Sequence, residues 1–212
     1  MSSERIRIQP TVSLRARLRN LWGARTVLPR FAEPRRLHVG CGKLRFDGWV
    51  NIDARRSRAV DLVWDLRCGL PGEDGSAELI YSEHFLEHLT TAQGVGFLCE
   101  CRRVLCPGGI VRIAMPSLEF VLERATSGHW REQDWLTWPE YQHVATRAEM
   151  INSAFRDWGH QWLYDREELE RRLREAGFTR LRFMEPQESD HPELRKRESR
   201  KDSLLICEAV KT

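Results

Sequence analysis

A chain of 212 residues with 41% hydrophobic and 31% charged residues has the size and balance of one soluble globular domain with its own core. No apolar run approaches the ~20 residues that a membrane-spanning helix needs. The formal net charge of +3 is too small to argue for a nucleic-acid partner.

Further features place the chain in a reducing compartment. The first residues lack the apolar stretch of a secretory signal. Cys41, Cys68, Cys99, Cys101, Cys106 and Cys207 form no C-x-x-C pair, which argues against structural zinc, and a chain this long needs no disulfide framework. Reduced thiols in a cytoplasmic protein are expected. Of the 34 basic residues only Lys43, Lys196, Lys201 and Lys211 are lysines, the bias that GC-rich coding produces.

Residues 1–36 read as an Arg-rich arm that packs on the domain. Val12, Leu14, Leu18, Leu21 and Trp22 form a helical apolar stripe over 11–22, and Pro29 and Pro34 break the chain after it. From 37 to 212 strands alternate with helices. Strands are expected at 37–40, 50–53, 62–64, 78–82 and 110–114, a helix at 91–105, and a turn at Pro107-Gly108-Gly109. This alternation predicts an α/β domain with a parallel sheet. Residues 129–164 hold Trp130, Trp135, Trp138, Trp158 and Trp162 and read as an insertion or lid. Asp165 should cap a helix, with Glu168 as its capping-box partner, ending at Gly177. Residues 181–185 and 204–210 are strand-like, and 186–202 is a charged loop.

The chemistry concentrates at strand ends. Gly40-Cys41-Gly42 closes the first strand, where glycines allow a tight turn and close approach to a ligand. Asp53, at the end of the next, is placed to hold ribose hydroxyls. Asp65 and Leu66 follow the third strand; the carboxylate can accept from an adenine amine, or simply cap a turn. The fourth strand ends in Ser82-Glu83-His84. His84-Phe85-Leu86-Glu87-His88 also fits the inverted zinc-protease pattern, but the flanking motifs account for it, and His88 reads as a packing histidine.

The order GCG, GWVNID, WDL, SEHFLEHL, RVLCPGG, WLYD and a final EAVK resembles the class I S-adenosylmethionine (SAM)-dependent methyltransferases. Within them it is similar to a small bacterial group related to polysaccharide and sugar O-methyltransferases. The resemblance covers about 37–212. It implies a Rossmann-like, mostly parallel seven-stranded sheet with helices on both faces, SAM as cofactor and S-adenosylhomocysteine as product. It assigns Gly40, Cys41 and Gly42 to the methionine part, Asp53 to the ribose, Asp65 and Leu66 to adenine, and Ser82, Glu83 and His84 to the methionine or methyl end. One departure stands out: ten residues between Gly42 and Asp53 leave no room for a full helix. A short loop must replace it, with Lys43, Asp47 and Trp49 as candidates to line the site.

Methyl transfer to a hydroxyl needs alignment and a base. His84, His143 and His160 are candidates; His143 is preferred, with Asp47 assisting. The tryptophans offer platforms for sugar faces, so a saccharide or other small-molecule acceptor is expected, a methylated mannose polymer of the mycobacterial kind being one example. Mg²⁺ could sit among Asp47, Glu83, Asp134 or Asp157, though no spacing demands a metal. Two alternatives remain: an RNA or protein methyltransferase using the Arg-rich arm and the 186–202 loop, and a non-catalytic SAM-fold binding module.

Overall fold

The computed structural model describes residues 13–212; the expectations for Val12 and the start of the arm fall outside these residues. The chain opens with helix α1 (Leu14–Val27), capped by the Ser13 hydroxyl. The apolar stripe is not the packing face. Leu14, Leu18, Leu21 and Trp22 are all more than half exposed. The helix docks through its opposite side, where Asn20 and Gly23 are buried. A Cβ on Gly23 would stand 2.6 Å from Leu62 Cδ1, so glycine lets the helix approach without displacing that side chain.

Beyond it follow β1 (Arg35–Val39), β2 (Val50–Asp53), β3 (Leu62–Val63), β4 (Ala77–Glu83), α2 (Thr91–Val104), β5 (Leu105–Met115), α3 (Leu118–Thr126), α4 (Arg147–Arg156), α5 (Arg166–Glu175), β6 (Arg180–Phe183) and β7 (Leu205–Val210). The seven strands form one sheet in the order β3-β2-β1-β4-β5-β7-β6. All pairings are parallel except those of β7, which runs antiparallel to β5 and β6. The expected Rossmann-like α/β sheet is present. The strand order reverses between β1 and β4, and in such sheets a crevice opens beyond the carboxyl ends at that point.

Side-chain alternation gives each face its own core. Leu37, Val39, Ile80 and Ile113 pack with Leu98 of α2 and Leu169 and Leu173 of α5. Leu79 and Tyr81 face the other way, onto Phe46, Trp49 and Leu194. As the spacing required, residues 40–49 contain no helix. Their aromatic side chains cover the sheet instead: Phe46 stacks on His38 at 4.0 Å between ring centroids, and the Arg197 guanidinium lies 4.4 Å over Phe46. Asn51 ties the loop down. Its amide donates to the carbonyls of Phe46 and Trp49 and to Asp61, and its carbonyl accepts from Phe46 N–H.

His38 reports on this packing. Burial lowers its pKa to about 4 despite a 3.2 Å contact between Nδ1 and the Asn51 carbonyl oxygen. An unfolded histidine titrates near 6.5, so the unfolded chain takes the proton first as pH falls. His38 therefore contributes its full stability above that value and loses it as pH drops towards 4. We expect a loss on the order of 2 kcal/mol across that window, read as a falling urea midpoint. His38→Phe, which keeps the ring stack, should flatten this limb; an unchanged slope would show that the histidine stays neutral in both states.

The Trp-rich segment builds a small core of its own. Trp130 and Trp135 are buried with Val121, Tyr141, Val144 and Met150, between α3 and α4. Trp158 and Trp162 are about 40% exposed (41% and 42%). Asp165 caps α5 as expected, accepting from Glu168 N–H at 2.8 Å. The capping box is not completed, because the Glu168 carboxylate turns to Arg171 and Arg172.

Candidate active site

At the carboxyl ends of β1, β2 and β4 lies a cleft of roughly 720 Å³, in the range of small-molecule sites. Gly40, Gly42, Asp53, Asp65, Leu66 and His84 all line it. Gly40 and Gly42 have φ of +71° and +56°, the region glycine adopts without strain. A Cβ on Gly40 would press within 3.0 Å of Phe85, whereas at Gly42 it would enter open space. The backbone turn is held from below: Gly40 and Cys41 N–H both donate to Ile52 O, and Gly42 N–H donates to Asp53 Oδ2 at 2.9 Å. Asp53 Oδ1 accepts from Arg55 N–H, which fixes the carboxylate at the lip of the cleft.

Asp65 caps the short turn Leu66–Cys68, accepting from Arg67 N–H, and also lines the cleft. The Arg67 guanidinium bonds it at 2.7 and 2.9 Å and holds its pKa down. Asn20 of α1 clamps its backbone, donating to Asp65 O and accepting from Asp65 N–H. The arm thus supports the cleft wall, a link the sequence signalled only by an Asn in a helix interior, where it has poor propensity.

Three assigned residues are buried and do not line the cleft. Cys41 has its thiol pushed up to about 12 by burial. Ser82 is 1% exposed, with a partnerless hydroxyl. Glu83 is spent on structure rather than on a ligand. Its carboxylate accepts from Ser199 N–H and Oγ, Arg200 N–H and Ser203 Oγ. Glu83 thereby draws 199–203 over the strand ends, placing Arg200 in the cleft wall.

The preferred base, His143, stands apart from the cleft. It is exposed, with Nδ1 at 2.9 Å from the Glu140 carbonyl. Asp47 is fully exposed and lies 3.6 Å from Arg45. Lys43 does line the cleft, while Trp49 is buried in the sheet-face core. The carboxylates suggested for Mg²⁺ do not converge, since Asp134 pairs with Lys201 and Glu83 with the 199–203 backbone.

A second pocket of about 390 Å³ adjoins the first. Phe120, Val121, Trp135 and Leu163 give it an apolar wall, and Gln133, Asp134, His160 and Asp202 supply polar groups. Trp158 lines both pockets, at a φ of +57°. His84 stands at the junction, with Nε2 3.5 Å from Asp202 Oδ1 and Nδ1 3.4 Å from Glu87 Oε1. Burial lowers the His84 pKa to about 3 and raises that of Asp202. The zinc-protease reading fails on geometry: His84 has φ of +49° and only Leu86–His88 forms a turn, so the two histidines do not share a helix face.

Residues 50–113 match a methyltransferase domain family. With the sheet order and the glycine-lined cleft, this match gives the chain the fold of the class I SAM-dependent methyltransferases, with a methyltransferase domain signature over its central strands. Its fold is similar to that of a Thermotoga maritima SAM-dependent methyltransferase described as a possible histamine N-methyltransferase, at 17% identity and a TM-score of 0.54 over 93% of this chain and 90% of that one. A possible exported protein of Bordetella parapertussis is 16% identical over 92% of this chain and 67% of its own, with a TM-score of 0.49. The Haemonchus contortus phosphoethanolamine N-methyltransferase 2, solved with SAM, is 15% identical over 92% and 52%, with a TM-score of 0.44. No curated protein sequence matches. Among the described residues no helix is long and apolar enough to cross a membrane.

The residues fit the cofactor. The open space above Gly42 admits close approach of a ligand, and Asp53 presents a carboxylate anchored by two backbone N–H groups at the lip.

Proposed function

We propose that the methyltransferase modifies a hydroxyl of a saccharide acceptor. The observation that carries this reading is Trp158. It is a partly exposed indole shared by the cofactor cleft and a pocket whose polar groups include an amide, Gln133, and two carboxylates, Asp134 and Asp202. An apolar ring face beside acceptors and donors at its edge suits a sugar, which is apolar on its faces and hydroxylated around its rim.

Bound SAM supplies a methyl group activated by its sulfonium. In this reading Asp53 holds the ribose hydroxyls, Gly40 and Gly42 let the backbone approach the methionine part, and Asp65 and Leu66 face adenine. Phe120, Trp135 and Trp158 exclude water around the acceptor. Asp202, with His84 beside it, receives the hydroxyl proton. The RNA alternative is less well supported. Within 186–202, Arg197 pairs with Glu193, Arg195 donates to Ser189 O, and Leu194 and Glu198 are buried.

Two measurements test the reading. Calorimetric titration should show S-adenosylhomocysteine binding and no NAD binding. Asp53→Ala should weaken it about tenfold to hundredfold, the loss of a charge-assisted contact of roughly 1.5–3 kcal/mol; an unchanged affinity would remove Asp53 from the site. Incubation with methyl-labelled SAM and a saccharide panel should then place label in an ether of the sugar. Label found only in RNA or protein would overturn the saccharide assignment while leaving the cofactor assignment intact.

A further inference from the structure

Between the two pockets lies a group of side chains with no part in the scheme above. Glu87, His88 and His160 each offer one ligand atom, and these atoms lie within 4.8 Å of one another. The two imidazoles are 5.1 Å apart between centroids. His88 lines the cofactor cleft and His160 the acceptor pocket, so the group sits on the partition. Glu87 is 1% exposed, and neither carboxylate oxygen has a hydrogen-bond partner. A carboxylate stripped of water, with only the His84 ring nitrogen 3.4 Å from Oε1, is costly to bury as an anion. A bound cation or a proton offsets that cost.

We propose that Glu87, His88 and His160 form a binding site for a first-row divalent transition metal ion at the junction of the cofactor cleft and the acceptor pocket. Two imidazoles and one carboxylate are a ligand set that suits Zn²⁺ and its neighbours rather than Mg²⁺. Three protein ligands leave coordination positions open, the arrangement of a catalytic rather than a structural centre.

The surroundings support ligation. His160 Nδ1 lies 2.8 Å from the Ala154 carbonyl, so it carries the proton, leaving the Nε2 lone pair for a metal. The two halves of the site are clamped together through their backbones. Gln161 and Trp162 N–H both donate to Glu87 O, and the Gln161 amide donates to His88 O. Each half also carries a non-glycine residue at positive φ, His84 on one side and Trp158 on the other, strain of the kind that persists where a site is over-determined. That the neighbouring pocket takes the acceptor rests on the reading given under Proposed function; the ligand set does not.

The test uses the full-length protein after chelator treatment and desalting, titrated calorimetrically with Zn²⁺ and followed in parallel by visible absorption on adding Co²⁺. One ion per chain is expected, with a Co²⁺ d–d spectrum of low coordination number. His160→Ala, which lies outside the cofactor cleft, and the near-isosteric Glu87→Gln should each weaken Zn²⁺ at least roughly tenfold to hundredfold. S-adenosylhomocysteine affinity should hold in His160→Ala, which shows that the variant is folded. Absence of stoichiometric Zn²⁺ binding would overturn the proposal in favour of a protonated Glu87. So would binding that both variants retain. Zn²⁺ binding with no S-adenosylhomocysteine binding would sink the cofactor reading and leave the metal site standing.

Discussion

Replacing Arg112 with methionine is expected to cost the fold about 3–5 kcal/mol, the price of breaking a buried ion cluster from one side. Arg112 sits in the middle of β5 and is fully buried. Its Nε donates to Glu198 at 2.7 Å and its Nη1 to Glu208 at 2.6 Å. Glu208 is its register partner on β7 and also accepts from the Ser189 hydroxyl. Glu198 accepts from Gln187 N–H through its second oxygen. Burial opposes the guanidinium charge, but the two carboxylates outweigh it and hold the pKa above its ordinary value. Methionine would leave two carboxylates in the interior without a counter-charge. The urea midpoint of Arg112→Met should therefore fall steeply, and adding Glu198→Gln and Glu208→Gln should recover much of the loss, because a neutral set needs no counter-ion. A single variant within about 1 kcal/mol of the parent, an ordinary effect for a point substitution, would show that the cluster does not carry the loop.

That cluster also explains which parts of the site were legible in the sequence. Gly40, Gly42 and Asp53 could be read because their signal is local: a glycine at a strand end and a carboxylate at the next strand end are set by backbone geometry a few residues away. The missing helix between β1 and β2 was legible for the same reason, since a residue count bounds what a segment can build. Asp202 and Arg200 were not. They reach the site only because Glu83 and Arg112 fold the 186–202 segment back over the sheet, a pairing between residues more than eighty positions apart. In sequence that segment is a charged loop, and its charges gave no sign of being internal. Asn51 left a clue, a polar amide inside a strand where such residues are depleted, and the structure shows it tying the loop that replaces the helix.

The position of His143 away from the cleft has a different origin. Composition marked the Trp-rich segment, but composition carries no direction. Trp130 and Trp135 turn inward to hold the segment together, Trp158 turns towards the glycine-lined cleft, and His143 turns to solvent. Likewise the apolar stripe of α1 was visible, yet the helix docks by its small and polar side, because Gly23 allows closer contact with Leu62 than a leucine could.

Asp202→Asn should lower kcat by about a hundredfold or more, the usual contribution of a positioned general base. The substitution keeps the shape of the side chain and removes its ability to take a proton. Asp202 lines the acceptor pocket, and its carboxylate lies 3.5 Å from His84 Nε2, which lines the cofactor cleft. A proton leaving an acceptor hydroxyl between the two pockets would meet this pair first. Burial raises the Asp202 pKa, which makes the carboxylate a stronger base than one in water. The other histidines facing the site carry lowered pKa values, so they hold a proton less readily. The effect should fall on kcat alone: affinity for S-adenosylhomocysteine and the thermal midpoint should stay near the parent's, because Glu83 rather than Asp202 anchors the 199–203 segment. A kcat within threefold of the parent, a change of less than about 1 kcal/mol in the barrier, would exclude Asp202 as the proton acceptor. A matching fall in cofactor affinity would instead give it a part in holding the loop, and His84 would be left as the remaining base at the junction.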